Sequence, residues 1–464
     1  MPTPIWENHQ GAVDVSYRAL SFACLGRTDV QLLKTQRSGC LAVSKVSGYL
    51  GGRTSGNQPC GRSLIPLWRT CAVAKLPAIS LFTGAGGFDL GALQAGVESR
   101  VCVDLDSDCI ATLEKNRQFR RSAILCRDVT TLSGDELLAS AGLRRKELGL
   151  LIGGPPCQSF SKAAYWTSTG EEARHRRNRA GYRGHSIGRF KIVGRKWNPT
   201  GDPRSSLVEH YSRLLSELMP AGFVFENVLS ITHPASRPIL DRFLRRCGRL
   251  GYAVQAFKAN AVEYGVPQMR QRLIVLGLKG RSIPVPPLPT HCGSEKEHRE
   301  KPHLQAPVAV GPILEPFRRA IFAEREEVVS GRWAKELHQI PPGWNYKALT
   351  AWAGHRKPVF LAETRFWNFL LKLHPELPSW TIAANPGPWT GPFHWDSRRL
   401  RVPELAALQT FPIDYNFSGS KRSVRRQIGN AIPPVLARHV VDAVASEIMG
   451  SRRSIGALRY TTVA

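Results

Sequence analysis

The chain is predicted to be an α/β protein, a doubly wound and mostly parallel sheet with a smaller domain inserted toward its C-terminal end. Three observations predict this. Short apolar runs recur between about 76 and 280, each ending in glycine, proline or an acid, as buried parallel strands do. The first run passes through a glycine-rich turn into a helical pattern. From about 281 to 395 the composition turns rich in proline and tryptophan, and apolar helical spacing returns only near residue 433.

Ala78 to Phe82 is the first strand, and Thr83-Gly84-Ala85-Gly86-Gly87 is the turn after it. Phe88, Leu90, Leu93 and Val97 then recur at helical spacing. Glycines in such a turn allow positive φ and close approach of a ligand to the backbone, and the helix amino end favours an anionic group. A dinucleotide would suit the same loop. Val101 to Asp106 is the second strand, ending in the acids Asp104 and Asp106 at about the distance where a nucleotide-binding sheet places its ribose-binding carboxylate. A third strand, Ala123 to Leu125, leads to Asp128. Acids at strand ends are also ordinary turn residues, but acids at successive ends suit a nucleoside.

Leu148 to Ile152 is a further strand, stopped by Gly153-Gly154-Pro155-Pro156, and Cys157 follows. Ligands of open α/β sheets bind outside the carboxyl ends of the strands, so this is a nucleophile's position, although a small buried cysteine would read alike. Phe223 to Phe225 ends in Glu226-Asn227-Val228, bringing a carboxylate to the same edge. Gln268-Met269-Arg270-Gln271-Arg272 precedes the strand Leu273 to Leu276. Residues two apart on extended chain share a face, so Arg270 and Arg272 are both expected at the site.

These segments, with Arg398-x-Leu400-x-x-x-Glu404, Leu408-Gln409-Thr410-Phe411-Pro412 and Gln427-Ile428-Gly429-Asn430-Ala431-Ile432-Pro433-Pro434, resemble a cytosine-5 DNA methyltransferase of the prokaryotic type over about 77 to 447. The resemblance implies a Rossmann-like S-adenosylmethionine-dependent methyltransferase domain at 76–280, an inserted target recognition domain at 281–397 and a return segment at 398–450. An N-terminal extension, 1–75, and a tail, 451–464, flank them. It also implies roles. Phe82, Gly84, Gly86, Gly87, Pro155 and Asn430 would surround S-adenosylmethionine, Asp104 would hold its ribose and Asp128 its adenine. Cys157 would be the nucleophile, Glu226 the acid at cytosine N3, and Arg272, helped by Arg270, the group near O2. The departures are Ser80, where an acid is also common, and Leu105, where an aromatic often lies beside adenine.

Aromatic cytosine is a poor carbon nucleophile at C5. A thiolate that adds first at C6 makes C5 enamine-like and able to take a methyl group. Glu226 assists if desolvation keeps it protonated or its hydrogen bond strengthens as charge develops, and Arg272 would lower the Cys157 thiol pKa. The base that removes the C5 proton is not identified by the sequence. The target must leave the duplex stack, at roughly a few kcal/mol. The arginine-rich stretch 162–203, with Arg174, Arg176, Arg177, Arg179, Arg183, Arg189 and Arg195, is where the family's closing loop stands.

A net charge of +28 and a pI near 10.2 fit a nucleic-acid partner, here double-stranded DNA. Seven of the eleven tryptophans fall between Trp333 and Trp395 among basic residues, where they stack on bases or fill a loop-rich core. The core is the expectation for most of them. Ten cysteines without a Cys-x-x-Cys pair argue against a disulfide scaffold and a zinc site, so no metal is expected. Residues 1–75 lack sustained periodicity and are expected to be disordered. No signal-peptide pattern or membrane-length apolar run is present, so a cytoplasmic monomer is expected, with a cognate restriction endonuclease as a functional partner. Two rival functions fit the same sequence. One is tRNA cytosine-5 methylation by a branch of the same family, and the other is a catalytically silent DNA-binding protein.

Overall fold

The computed structural model describes residues 75–156, 206–362 and 365–460, the last ten by backbone alone. Cys157, the arginine-rich stretch after it and the N-terminal extension lie outside the described residues.

Among the described residues the central sheet has seven strands: β1 Leu76–Leu81, β2 Val97–Asp104, β3 Ala123–Cys126, β4 Leu150–Gly153, β5 Gly222–Val228, β6 Tyr252–Asn260 and β8 Gln271–Lys279. Their order across the sheet is β3-β2-β1-β4-β5-β8-β6. The first five pair in parallel, whereas β8 runs antiparallel to both β5 and β6. The chain winds outward from β1 to β3, returns to β4 beside β1 and winds the other way. The switch point therefore lies between β1 and β4, where ligands of such sheets bind.

Helices cover both faces because the strands are apolar on both. Ile79, Leu81, Leu151, Phe223, Phe225 and Val275 point to one side, against α3 Gly134–Ala141, α4 Leu207–Leu218 and α5 Arg237–Arg249. Ala78, Leu150, Ile152, Val224, Ile274 and Leu276 point to the other, against α1 Gly87–Gln94 and α8 Pro434–Tyr460. The period of two then fixes which side each strand-end residue takes. Gly154, Glu226 and Arg272 all fall on the α1 side.

The helical spacing that extended α1 to Val97 is corrected. α1 stops at Gln94, Gly96 turns with φ 76°, and Val97 opens β2 opposite Leu76. Val97 is fully buried in the sheet, so its apolar character served a strand. Helix α8 runs on past residue 450 to Tyr460.

From 281 to 397 the described chain forms short helices and isolated bridges around its own cluster, Leu337, Ile340, Tyr346, Leu349, Phe360, Phe369, Leu370 and Phe393, with Trp333, Trp344 and Trp389 packed on it. A two-residue strand, β9 Ser379–Trp380, joins it in parallel to β7 Gln268–Met269. The return segment, with α6 Val402–Leu408 and α7 Lys421–Asn430, shares a further core with Ala85, Leu90, Leu113 and Phe119 of the cofactor half. Arg398 grips the buried Glu404 through two hydrogen bonds of 2.8 and 2.6 Å, a bidentate pair that fixes the entry to α6. No described helix is long and apolar enough to cross a membrane.

Candidate active site

The loop after β1 is a strained turn held from beneath. Phe82 has φ 56° and Gly84 φ 57°, so two of three consecutive residues lie in the left-handed region, at one of which a side chain is costly. Thr83 pins the loop. Its amide donates to the Val103 carbonyl at 3.0 Å, its hydroxyl accepts from the Val103 amide at 3.1 Å, and the same hydroxyl lies 3.0 Å from the Ser80 hydroxyl. Ser80 thus anchors the loop from the position where an acid is common.

Asp104, at the end of β2, accepts from the Gly84 amide at 2.7 Å on one oxygen and from the Asp106 amide at 2.9 Å on the other. Burial pushes its carboxyl above the usual range, against those two hydrogen bonds. Each oxygen keeps a lone pair for a further donor. Beside it Leu105 is 67 % exposed, an apolar side chain standing free at the sheet edge. A Cβ at Gly84 would meet no atom within 4 Å. A carboxylate with spare acceptor capacity, an exposed apolar side chain and an open glycine fit a nucleoside with a charged tail. Asp128 follows β3, and its Oδ1 accepts from the Thr130 amide at 2.8 Å, closing a turn at the same edge.

Gly86 and Gly87 carry a different burden from the one expected of a loop that cradles a ligand. A Cβ at Gly86 would lie 2.4 Å from the Phe119 ring, and one at Gly87 2.5 Å from the Ile432 carbonyl oxygen. At Gly86 the missing side chain makes room for the Phe119 ring, and at Gly87 it lets the return segment close on α1. Asn430, the last residue of α7 and two before Ile432, is exposed beside this contact.

Glu226 and Arg272 meet. In the β5·β8 ladder Val228 opposes Arg272 and Glu226 opposes Ile274, so the two side chains are diagonal neighbours on one face. Arg272 Nε donates to Glu226 Oε1 at 2.7 Å, and both side chains are mostly buried. Gly154 lies next to this pair, for a Cβ there would come within 2.7 Å of Glu226 Oε2. The fully buried Asn227 donates to the Pro155 carbonyl at 3.3 Å, tying the end of β5 to the turn that leads to Cys157. The acid, the arginine and the approach to the cysteine therefore share one edge and one face.

Arg270 departs from expectation. It is 1 % exposed, and its Nη2 donates to the Gly429 carbonyl at 2.9 Å, so it holds the end of α7 and does not join Arg272 at Glu226. Gln268 is a positioning residue that sequence reasoning left without a role. It accepts from the Ile382 amide at 3.2 Å and donates to Gln409 Oε1 at 2.6 Å, and Gln409 donates to the Ala431 carbonyl at 2.5 Å. This buried amide chain fastens four distant segments together, and the only sequence signal for it was a pair of glutamines in segments that face one another.

The doubly wound sheet with an antiparallel last pair and a nucleoside-like site at its switch point defines an S-adenosylmethionine-dependent methyltransferase fold. The sequence profile of the C-5 cytosine-specific DNA methylases matches residues 76–176 and 192–446, and the chain belongs to that family. It is 35 % identical over 402 residues to the Type II methyltransferase M.SacI of Streptomyces achromogenes, covering 81 % of this chain and 94 % of that one. It is 29 % identical over 373 residues to M1.HphI of Haemophilus parahaemolyticus, covering 80 % and 87 %. Among solved structures, a prophage-encoded E. coli protein assigned as a DNA modification methyltransferase superposes with a TM-score of 0.53 at 22 % identity. That match covers 81 % of this chain and all of the other, and it carries the fold. The protein is a DNA cytosine-5 methyltransferase, and S-adenosylmethionine is its methyl donor.

Proposed function

We propose that Cys157 is the nucleophile, Glu226 the acid at cytosine N3 and Arg272 the group at O2, acting on a cytosine flipped out of a specific duplex sequence. The observation that carries this reading is the 2.7 Å Arg272–Glu226 pair, set against Gly154 three residues before Cys157. A nearby guanidinium favours the thiolate over the thiol. The Cys157 thiolate adds to C6, and Glu226 supplies the proton or hydrogen bond that N3 needs as the ring gains charge. Arg272 holds Glu226 in place and offers its remaining N–H groups to O2. Removal of the C5 proton after transfer returns the electron pair to the ring and expels the thiolate.

S-adenosylmethionine, when bound, supplies an electrophilic methyl group on a sulfonium. Asp104 would hold its ribose hydroxyls with the lone pairs left by Gly84 and Asp106, Leu105 and Asp128 would flank its adenine, and Phe82, Gly84 and Pro155 would border it. Gly87 and Asn430 would shape this site through the contact of α1 with the return segment, and Gly86 through the close approach of the Phe119 ring. The Type II names of the relatives support a modification enzyme paired with a restriction endonuclease; that it works as a cytoplasmic monomer is part of the same proposal.

The test is bisulfite sequencing of DNA from a host without cytosine methylation that expresses this chain or its Cys157→Ser variant. Protected cytosines at one recurrent short sequence, absent with the variant, are expected. Protection that survives in the variant would overturn the assignment of the nucleophile.

A further inference from the structure

The antiparallel β5·β8 ladder ends at Val228 opposite Arg272, so residues 268–271 run on past the last residue of β5, over the edge where the site lies. β9 is built on this overhang, with Trp380 in register with Met269. Met269 is three residues from Arg272, at most about 11 Å of chain. Ser379 is buried, and Trp380 therefore faces the opposite way, outward. The Thr381 hydroxyl donates to the Met269 carbonyl at 2.7 Å and secures the overhang.

Trp367 sits against Trp380, ring centroids 4.3 Å apart at 67°. It remains 38 % exposed, beside the exposed Arg365 and Phe366. The backbone beneath these three exposed side chains is fixed. Asn345, itself buried, donates to the Trp367 carbonyl at 2.5 Å, Tyr346 donates to the Arg365 carbonyl at 3.0 Å, and the Gly391 amide donates to the Asn368 carbonyl at 2.9 Å. Trp333, Trp344 and Trp389 by contrast pack on the recognition core. Trp367 does not turn inward with them; nor does Trp352, 59 % exposed, but it is Trp367 that stands against Trp380 on the overhang. This one is presented to solvent on a braced backbone.

We propose that Trp367, seated on Trp380, is a stacking platform for a nucleobase of the DNA that flanks the target cytosine. When the target leaves the duplex its neighbours lose a stacking partner. An indole face on the overhang beside the site replaces it, while the Arg365 guanidinium packs over the Phe369 and Trp333 rings, 5.5 and 6.0 Å from their centroids. Trp367 is thus a positioning residue for the substrate, and its role rests on the site proposed around Glu226 and Arg272.

The experiment measures radiolabelled methyl transfer to plasmid DNA from a host without cytosine methylation. Wild type, Trp367→Ala, Trp367→Phe and Glu226→Gln are compared, varying DNA and S-adenosylmethionine separately. For Trp367→Ala, KM for DNA is expected to rise roughly ten-fold, the scale of one lost base–aromatic stack, with KM for S-adenosylmethionine unchanged and Trp367→Phe restoring most of the loss. An unchanged KM for DNA in Trp367→Ala, with Glu226→Gln inactive, overturns the platform and leaves the site standing. Both KM values rising together without rescue by phenylalanine shows a structural role and also overturns it. Glu226→Gln at the wild-type rate overturns the site beneath it.

Discussion

Gly154 decides how near the acid can stand to the strand that leads to the nucleophile. A methyl group there would lie 2.7 Å from Glu226 Oε2, while Oε1 is already fixed at 2.7 Å by Arg272. The carboxylate must turn away or the ion pair must open. Gly154 is not in the left-handed region, so alanine adds no backbone strain and the consequence is confined to the pair. Gly154→Ala is expected to lower kcat by about 10- to 100-fold, the range for a misplacement near 1 Å. KM for S-adenosylmethionine should hold within about two-fold, since Asp104 and Gly84 are untouched. Steady-state kinetics with each substrate varied checks this, and an unchanged kcat would show that the carboxylate does not need its present place.

At the level of elements, a buried histidine makes the join between the 281–397 region and the return segment sensitive to acid. The His394 amide donates to the Arg398 carbonyl at 2.9 Å, and the Asp396 amide donates to His394 Nδ1 at 3.1 Å, which requires that nitrogen to be unprotonated. Burial, reinforced by Arg398, Arg318 and Arg401, pushes the imidazole down to about 3. The unfolded chain takes up this proton near pH 6.5. The stabilisation is therefore fully present above pH 6.5 and is lost as pH falls from there toward 3. His394→Asn keeps an acceptor for Asp396 without the proton site. Its thermal midpoint is expected to fall less than that of the wild type between pH 7.5 and 5.5 in melting curves at matched ionic strength, and parallel curves would show that this ring is not responsible.

The same elements show how far the sequence could be read. Strands with a recognisable residue at one end, at or just beyond the C-terminal end in β1, β2, β3, β4 and β5 and at the start in β8, are legible with their site residues, because alternation and a chemical group at the end coincide. β6 went unread, having no such ending. Val97 was misassigned because a valine at helical spacing after Leu93 looks the same whether the chain continues as helix or turns at Gly96 into a strand. Gly86 and Gly87 look like ligand glycines by spacing alone, and the neighbours that require them, Phe119 and Ile432, are up to some 345 positions away. Arg270 was placed with Arg272 by a rule of extended chain, which cannot foresee the Gly429 carbonyl that takes it up.

For the whole molecule the governing quantity is charge. A net +28 sets a DNA affinity dominated by release of counterions from phosphates, with log K falling by about 0.9 per phosphate neutralised for each unit of log salt. The stretch 157–205 contributes eleven Lys and Arg against three acids, a net +8. If it contacts the sugar–phosphate backbone, its arginines act on every sequence alike, whereas the stack proposed for Trp367 acts at the target. Replacing Arg176, Arg177 and Arg179 together by glutamine is expected to weaken binding to cognate and unrelated duplexes by the same factor. It should also reduce the slope of log K against log salt by roughly 2 to 3, one phosphate contact for each charge removed. Fluorescence anisotropy of labelled duplexes between about 50 and 200 mM salt reads both quantities. A slope unchanged by the triple substitution would mean that these arginines do not meet phosphate, and a binding constant flat in salt for the wild type would remove the electrostatic basis of its hold on DNA.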